Sequence, residues 1–315
     1  MRAMQMLRYG GPDELALAEV PEPVPGPGQV LVRVHCASVN PVDWKRASGQ
    51  YRLIMPVRFP SVPGYDIAGH VAAVGHGVEG FTTGMNVHAR IAEMGAGGSA
   101  DYALAGVDVL VPMPDGMPHA EAAALPLAGM TALQALRDGA RLPLQDAGER
   151  VLVVGASGGV GHLGVQVAKS AGAHVTGVCS GRNAALVREL GADAVLDYTQ
   201  ADAFRDVEPF DVVLDCVAGD PTPWLPLMKR DARYVSVIPG VGTFLWPWLH
   251  PFSRRRVRAW MLRTNGDDLR WLDALWQRGA LRIVIDGSHP LEQLGAAWAR
   301  SMSGRAVGKI VVAIA

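Results

Sequence analysis

The sequence predicts an α/β protein of two domains, one built on a doubly wound parallel sheet and the other a β-rich, partly open barrel. The second half alternates short apolar runs with helical patterns, which is typical of a parallel sheet covered by helices on both faces. Residues 1–120 instead contain short strands bounded by Gly and Pro. A chain of 315 residues, 49% of them hydrophobic, has enough apolar material for two cores.

The predicted elements follow in chain order. In the β-rich half, strands are expected at 30–37 and 68–74, and a helical segment that starts near His119 is broken at Pro126. The parallel sheet is expected to contain strands at 151–154, 174–179, 194–196, 211–214, 234–238 and 256–263, followed by a helix at 267–279. The apolar runs 281–285 and 309–314 are predicted to return to the first domain. We therefore expect a β-rich domain of residues 1–121 with 286–315, and a parallel-sheet domain of residues 122–285.

A glycine turn joins the first strand of the predicted sheet to a helix. Gly159, Gly161 and Gly164 have the G-x-G-x-x-G spacing inside a βαβ unit. Glycines there allow a sharp turn, a close approach of pyrophosphate to the backbone, and tight packing of the helix on the strand. The helix N-terminus offers unpaired N–H groups to the phosphates. The alternative interpretation of this βαβ unit is a crossover that binds no ligand. The residues expected beside the pyrophosphate are Ser157, Gly158, Gly159 and Val160.

The end of the second predicted strand indicates which dinucleotide is bound. A site for NAD usually places a carboxylate there, on the ribose 2′-hydroxyl. This chain has Ser180 and Arg182 after Cys179 and no acidic residue. Because a hydroxyl and a guanidinium attract a 2′-phosphate, the sequence predicts NADPH. Ser180 is also a candidate N-cap for a helix at 183–190, a role compatible with phosphate binding.

Composition and charge exclude several other classes of protein. The net charge of −1 gives no support to nucleic-acid binding. No apolar run reaches membrane-spanning length, and the first residues lack the apolar core of a signal peptide. Three scattered cysteines are too few for a disulfide framework, so we expect a cytoplasmic location.

The segment 243–258 combines aromatic residues with a run of arginines. It is open to interpretation as a membrane-surface patch, as an apolar lid, or as a loop followed by a charged edge strand. We favour the third interpretation, because charge prevents edge-to-edge pairing of strands. Phe244, Trp246 and Trp248 are then expected at a pocket rim or a subunit contact, and no membrane partner is predicted.

Taken together, the motifs resemble those of the medium-chain dehydrogenase/reductase superfamily, in its zinc-independent quinone oxidoreductase and enoyl reductase branch. The resemblance implies a GroES-like catalytic domain split around a Rossmann domain, with the active site in the cleft between them. It also implies a possible homodimer, because the sixth strand is similar to one that pairs across dimers. The segments that carry the resemblance are 37–51, 62–75, 122–136, 155–161, 190–198 and 304–312.

The zinc-dependent members of the superfamily differ at the positions that hold the metal. They have a Cys near the position of Asn40 and a His-Glu pair near Tyr65 and Asp66. Asn40 and Tyr65 supply neither the thiolate nor the imidazole that a tetrahedral zinc site requires. We therefore predict no metal.

Without a metal, the accessible reaction is hydride addition to a polarised, conjugated acceptor such as a quinone or an α,β-unsaturated carbonyl. The anion that results needs hydrogen-bond donors and a proton. Asn40 can hold a carbonyl or the nicotinamide amide, or can instead pin the turn before Pro41. Tyr51 resembles a tyrosine that donates a proton in enoyl thioester reductases, and is otherwise an aromatic lining residue. Asp43 and Lys45 are expected as an ion pair at the edge of the cleft.

The resemblance implies further cofactor contacts. Thr131 is expected at the nicotinamide end, and Tyr198 on the adenine or phosphate side. The segments 216–218 and 238–240, including Val217 and Ile238, are expected near the nicotinamide ribose, and Lys309 is expected to reach the cofactor from the last segment. We thus expect an NADPH-dependent quinone or enone reductase. Two alternatives remain open: an enoyl thioester reductase of acyl or polyketide metabolism, and a non-catalytic NADPH-binding redox sensor.

Overall fold

The computed structural model describes residues 1–91, 97–238 and 240–314. The chain forms two compact units. The first comprises Met1–Leu127, Thr264–Ala274 and Ile283–Ala315, and the second comprises Ala128–Arg263 and Leu275–Arg282. The mixed α/β architecture, with separate six-stranded and seven-stranded sheets and a further two-stranded one, agrees with the predicted fold class.

The elements are numbered here in chain order. The strands are β1 (Arg2–Met6), β2 (Leu15–Glu19), β3 (Gln29–Val39), β4 (Asp66–Val74), β5 (Asn86–Arg90), β6 (Tyr102–Gly106), β7 (Leu110–Pro112), β8 (Arg150–Val154), β9 (His174–Cys179), β10 (Ala194–Asp197), β11 (Phe210–Asp215), β12 (Met228–Ser236), β13 (Arg256–Ala259), β14 (Ile285–Pro290) and β15 (Lys309–Ala313). The α-helices are α1 (Pro41–Ala47), α2 (His119–Ala124), α3 (Pro126–Gln134), α4 (Gly161–Ser170), α5 (Ala184–Glu189), α6 (Val241–Leu249), α7 (Gly266–Gln277) and α8 (Leu294–Met302). Among the described residues, no helix is both long and apolar enough to cross a bilayer.

The sheet of the first unit has the order β14-β15-β3-β4-β5-β7, with β6 paired to β3. Apolar side chains of β3 and β4 that point to one side, including Val32, Val34 and Ile67, are fully buried and pack with Trp298 of α8. The register places Ser38 opposite Asp66, and Val39 opposite Ile310. Three sequence-distant segments therefore meet at one end of the sheet: the end of β3, the start of β4 and the start of β15.

The second unit contains a six-stranded parallel sheet with the order β10-β9-β8-β11-β12-β13. Its central strands are continuous apolar runs, as expected for strands covered on both faces. The strand order reverses between β8 and β11, and ligands of such sheets bind where the carboxyl ends of the strands diverge.

Three predicted elements need correction. The strand expected at 281–285 lies at Ile285–Pro290, because its first residues only lead into the parallel pairing with β15. The sixth strand is shorter than 256–263 and ends at Ala259. The loop expected after residue 243 is the helix α6, with Trp246 buried and Phe244 and Trp248 exposed.

The boundary between the units also differs from the predicted 122–285. Thr264–Ala274 belongs to the first unit, together with residues 122–127 and 283–285. Two contacts explain the placement of α7. His88 Nε2 lies 3.0 Å from Asp273 Oδ2 in a buried pair, and the Gly266 backbone N–H donates to the Asp108 carbonyl. The apolar periodicity of α7 predicts a helix with one buried face, but does not predict which of the two units that face packs on.

Candidate functional site

The glycine turn between β8 and α4 requires glycine at specific positions. Gly155 has φ +75°, a conformation that L side chains rarely adopt. A Cβ on Gly161 would lie 2.1 Å from the Gly155 carbonyl oxygen, a backbone atom. The first backbone N–H groups of α4 have no partner within the helix. The turn therefore presents backbone donors and a positive helix end at the carboxyl edge of the sheet.

The predicted pyrophosphate residues form this turn. Ser157, Gly158, Gly159 and Val160 are all partly accessible. Ser157 Oγ accepts a hydrogen bond from Asn183 Nδ2 over 3.0 Å, which ties the turn to the segment that follows β9. The Gly158 carbonyl accepts from the backbone N–H of His162, which closes the first turn of the helix. The structure thus brings the glycine turn together with the segment after β9.

The loop after β9 contains both residues predicted to select the cofactor. Arg182 is exposed and Ser180 is partly exposed. Ser180 occupies the N-cap position of a short 3-10 helix, but its side chain makes no capping hydrogen bond. Asp197, at the end of the neighbouring strand β10, lies against this loop. Its Oδ2 would be 2.5 Å from a Cβ on Gly181, and hydrogen bonds from Thr199 and from the Gly181 backbone lower the pKa of its carboxyl.

Asp197 is a residue that the sequence interpretation missed. The interpretation considered acidic residues directly after β9, whereas this carboxylate comes from the next strand in the sheet, where Asp197 pairs with Cys179. Tyr198, predicted on the adenine or phosphate side, follows it and is exposed. Had the pairing of β10 with β9 been considered, it would have placed Asp197 beside Cys179 and so next to the loop after β9.

A buried aspartate fixes the loop after β11. Asp215 accepts hydrogen bonds from the backbone N–H groups of Val217, Ala218 and Gly219, and from the Tyr234 hydroxyl over 2.5 Å. Burial and the Asp215 carboxylate raise the pKa of the Tyr234 hydroxyl, which therefore remains a donor. Val217, a predicted cofactor contact, is held exposed at the sheet edge. The sequence interpretation missed Asp215, although an acidic residue at the end of an apolar strand was a usable signal.

The other predicted residues of the second unit lie on different elements. Ser236 Oγ donates to the Ile238 carbonyl over 2.7 Å and so fixes the backbone after β12. Pro239, within the predicted segment 238–240, lies outside the described residues. Thr131 is buried in α3, next to Ala132, whose Cβ would be 4.0 Å from a Cβ on Gly164.

A buried polar cluster occupies the end of the sheet in the first unit. Lys309 Nζ donates to Asn40 Oδ1 over 2.5 Å and to the Val39 carbonyl over 3.1 Å. Asn40 Nδ2 donates to Asp66 Oδ2 over 2.8 Å, and Ser38 Oγ donates to the same oxygen over 3.0 Å. The other carboxylate oxygen of Asp66 accepts from the Leu127 backbone N–H. We call Ser38, Asn40, Asp66 and Lys309 the buried polar cluster.

The cluster contains one basic and one acidic side chain, and both are buried. Lys309 is 3% exposed and Asp66 is 0% exposed, and Lys309 Nζ lies 4.0 Å from Asp66 Oδ2. Burial raises the pKa of the Asp66 carboxyl and lowers the pKa of the Lys309 ammonium, while their mutual attraction opposes both shifts. Because the attraction and the hydrogen bonds favour the charged forms, we treat the two groups as an ion pair bridged by Asn40.

The structure places two of the predicted residues in this cluster. Asn40 is 1% exposed, and both of its side-chain polar atoms are engaged, so the structure favours a positioning role for it. Lys309, predicted to reach the cofactor, has its described partners in the first unit. Tyr51 lies half-buried in the turn after α1, and none of the described interactions joins its side chain to Asn40.

Asp43 is buried in α1, and the predicted ion pair with Lys45 does not form. Asp43 Oδ2 accepts from the Asn40 backbone N–H over 2.6 Å, whereas Lys45 Nζ lies over the Trp44 ring. Oδ1 of Asp43 has no hydrogen-bond partner among the described residues. Asp43, Arg46 and Tyr65 are among the residues that line a cavity of about 20 Å³, enough for one water molecule. Burial is the main cause that raises the pKa of Asp43 to about 7.

The positions that hold zinc in the zinc-dependent relatives lie near Asn40, Tyr65 and Asp66 in this chain. Within the described ranges, no three His, Cys, Asp or Glu side chains are placed to hold a metal ion. Tyr65 donates nothing to the cluster; its hydroxyl accepts from Arg46 Nη1 over 2.9 Å. The oxygens of Asn40 and Asp66 already serve the Lys309 ammonium.

Comparisons with known proteins give the family. Residues 26–115 match the alcohol dehydrogenase GroES-like domain, and residues 190–312 match the zinc-binding dehydrogenase family. A chloroplast envelope quinone oxidoreductase homolog from Arabidopsis thaliana is 39% identical over 99% of this chain and 98% of its own length. The chain belongs to the medium-chain dehydrogenase/reductase superfamily. Within it, the chain falls in the quinone oxidoreductase and enoyl reductase branch, as its motifs predicted.

Two further members of the superfamily agree with this assignment. The trans-enoyl reductase pgmF of Aspergillus terreus is 36% identical over 92% of this chain and 87% of its own length. The structure of the quinone oxidoreductase from Coxiella burnetii superposes with a TM-score of 0.88 at 30% identity, covering 100% of this chain and 99% of that chain. This medium-chain dehydrogenase/reductase is therefore an oxidoreductase of the GroES-like and Rossmann type that uses a nicotinamide cofactor.

The second unit fits such a cofactor. Only glycine fits at the two ends of the turn, because a Cβ on Gly161 would collide with the Gly155 carbonyl and a Cβ on Gly155 would lie 2.7 Å from Val217 Cγ2. Ser157, Arg182, Tyr198, Val217 and Ile238 all follow carboxyl ends of strands in the same sheet. A dinucleotide lying along this edge can contact each of these positions.

Proposed function

We propose that this protein is an NADPH-dependent reductase that transfers a hydride to a quinone or an α,β-unsaturated carbonyl without a metal ion. The observation that carries the metal-free part is the Lys309 ammonium held between Asn40 and Asp66. A divalent cation at this position would face a fixed positive charge, and the oxygen ligands that it needs are already engaged.

The cofactor preference rests on the loop after β9. Arg182 is exposed and Ser180 is partly exposed, so both can contact a 2′-phosphate. Asp197 opposes this preference, but hydrogen bonds from Thr199 N and Thr199 Oγ1 already satisfy one of its oxygens. A guanidinium at the surface together with a hydrogen-bonded carboxylate favours NADPH over NADH, by a margin that Asp197 reduces.

In the reaction, the nicotinamide ring supplies the hydride when the cofactor is bound. The chain's own residues bind the cofactor and orient it. The glycine turn holds the pyrophosphate, Asp215 fixes the exposed loop at Val217, and the buried polar cluster fixes the backbone at the end of β3. We propose that Tyr51 donates its hydroxyl proton to the anionic oxygen of the reduced substrate.

The substrate class is supported by the names of two relatives, the quinone oxidoreductase homolog of Arabidopsis thaliana and the quinone oxidoreductase of Coxiella burnetii. The trans-enoyl reductase of Aspergillus terreus favours a second candidate, reduction of an enoyl thioester. The non-catalytic alternative, an NADPH-binding redox sensor, predicts cofactor binding without turnover.

The test is a turnover assay that follows loss of NADPH absorbance with quinones, 2-alkenals and crotonyl thioesters. We expect turnover with quinones or alkenals, and a lower kcat for Tyr51→Phe with a smaller change in KM. Faster turnover of crotonyl thioesters would favour the enoyl thioester reductase. Absence of turnover with all three classes would refute the proposal, and an unchanged kcat in Tyr51→Phe would remove this residue as the proton donor.

A further inference from the structure

Arg46 is a buried arginine whose hydrogen-bond acceptors are all uncharged. It lies in the last turn of α1 and is 7% exposed. Nη1 donates to the Tyr65 hydroxyl over 2.9 Å, Nη2 to the Pro56 carbonyl over 3.1 Å, and Nε to the Met55 carbonyl over 3.4 Å. Asp43 lines the same cavity, but none of the described hydrogen bonds or ion pairs joins it to Arg46. Because a buried guanidinium is normally paired with a carboxylate, these carbonyl acceptors need an explanation.

The two carbonyls belong to a turn that follows α1, residues 51–57, which we call the Tyr51 turn. The Tyr51 carbonyl accepts hydrogen bonds from the backbone N–H groups of Ile54, over 2.9 Å, and of Met55, over 2.7 Å. Met55 is therefore joined to Tyr51 through its N–H and to Arg46 through its carbonyl. The path from the guanidinium to the Tyr51 backbone passes through a single residue.

The far end of the Tyr51 turn is held by Tyr9. The Tyr9 hydroxyl accepts from the Val57 backbone N–H over 2.8 Å, and the Tyr9 ring would lie 3.3 Å from a Cβ on Gly49, shortly before the turn. Among the described residues, Arg46 and Tyr9 are the only side chains that hydrogen-bond to the turn. Because Tyr9 acts on the last residue of the turn, the anchoring of Met55, and through it of Tyr51, depends on Arg46.

A guanidinium suits this anchoring better than other donors. Hydrogen bonds from a charged group are about twice as strong as those between neutral groups. The planar fork presents several donors in fixed directions, so it can hold two successive carbonyls at once, whereas the ammonium of a lysine is a point charge on a flexible stem. The burial of Arg46 is thus explained by its hold on the backbone at Met55 and Pro56.

We propose that Arg46 is a positioning residue for proton transfer from Tyr51. By holding the Met55 and Pro56 carbonyls, it fixes the Tyr51 turn and the direction in which the Tyr51 side chain leaves the backbone. The inference rests on the proposed function, in which the Tyr51 hydroxyl gives its proton to the anionic oxygen of the reduced substrate. The phenolate left on Tyr51 is reprotonated by water, and Arg46 itself contacts neither substrate nor cofactor in this role.

Steady-state kinetics with NADPH and a quinone or 2-alkenal test the positioning role. Arg46→Met should lower kcat with a smaller change in KM, because it displaces the proton donor. A misplacement of about 1 Å costs about 100-fold in rate. Since Arg46 acts through Tyr51, its loss should cost no more than Tyr51→Phe does. The double variant Arg46→Met/Tyr51→Phe should then have the kcat of Tyr51→Phe alone.

Amide hydrogen exchange measures the anchoring without turnover. In Arg46→Met the amides of Ile54 and Met55 should exchange faster than in the unmodified protein, because the turn opens more often. The amides of β3, which are paired with strands on both sides, should change less.

Two further variants address folding and charge. Arg46→Lys keeps a cation in the site and should give intermediate kcat and intermediate exchange, so it serves if Arg46→Met does not fold. Arg58→Met makes the same change at an exposed arginine that follows the turn, and none of the described hydrogen bonds or ion pairs involves the Arg58 side chain. It should leave both kcat and exchange unchanged.

The possible failures can be told apart. An unchanged kcat in Tyr51→Phe would refute Tyr51 as the proton donor, and the positioning role with it. A lower kcat in Tyr51→Phe together with an unchanged kcat in Arg46→Met would refute the positioning role alone. Additive losses in the double variant would do the same, because Arg46 would then act independently of Tyr51. Unchanged exchange at Ile54 and Met55 would show that Arg46 does not anchor the turn.

Discussion

Lys309 Nζ donates a hydrogen bond to Asn40 Oδ1 across 2.5 Å, and the two residues are separated by almost the whole length of the chain. The pairing of β15 with β3 places them side by side at the end of the sheet. Asn40 in turn donates to Asp66, so one amide links a buried cation to a buried anion. This link underlies both the stability of the first unit and the metal-free function that we propose.

Lys309→Met should destabilise the protein by about 3 kcal/mol, because it leaves the buried Asp66 carboxylate without its counter-charge. The double variant Lys309→Met/Asp66→Asn removes both charges and should recover part of that loss. Chemical denaturation of the four proteins of the cycle measures the coupling. Additive losses would show that the two residues do not interact.

Asp43→Asn should raise the midpoint of thermal unfolding more at pH 8 than at pH 5. The folded-state pKa of Asp43 is raised to about 7, whereas the unfolded value is about 4. As pH rises from about 4 to about 7, Asp43 ionises in the unfolded chain, while burial disfavours its carboxylate in the folded protein. The unmodified protein therefore loses stability over this pH range. The variant has no such group to titrate. A stability difference that is constant with pH would contradict the shifted pKa.

Arg182→Ala should lower kcat/KM for NADPH about tenfold with little effect for NADH, because a charge-assisted hydrogen bond to the 2′-phosphate is lost. Asp197→Asn should instead increase the preference for NADPH, since it removes a negative charge that repels the 2′-phosphate beside the Ser180–Arg182 loop. The measurement is the ratio of kcat/KM for the two cofactors. Asp193→Asn is a suitable control, because Asp193 is paired with Lys169.

Gly161→Ala should reduce NADPH affinity about 100-fold, because a displacement of the turn by about 1 Å misaligns the backbone donors. The added Cβ would lie 2.1 Å from the Gly155 carbonyl oxygen, a backbone atom that cannot move away alone. Gly164→Ala is the matched control, since its Cβ would meet the flexible end of Leu214. Titration of cofactor fluorescence measures both. Equal affinities for the two variants would contradict the steric argument.

The sequence predicts the parallel sheet well, because each strand is an apolar run that a glycine or a turn ends. The strand 174–179 agrees to the residue, and the glycine turn lies where its spacing placed it. The sequence did not predict the side-chain partners that are set by contacts between segments distant in the chain. Asp197 acts on a loop that follows another strand, and Lys309 finds Asn40 through pairing of distant strands. The segment that forms α6 was predicted as a loop, although its apolar residues recur at helical spacing.

We propose that reduction by NADPH proceeds here without a metal ion, with the Lys309 ammonium engaging the oxygens of Asn40 and Asp66 that a cation would need. The most direct measurement compares kcat/KM for a quinone before and after exhaustive chelation, with the metal content of the protein determined in parallel. We expect an unchanged kcat/KM and substoichiometric metal in both samples. Loss of activity on chelation that stoichiometric zinc restores would contradict it.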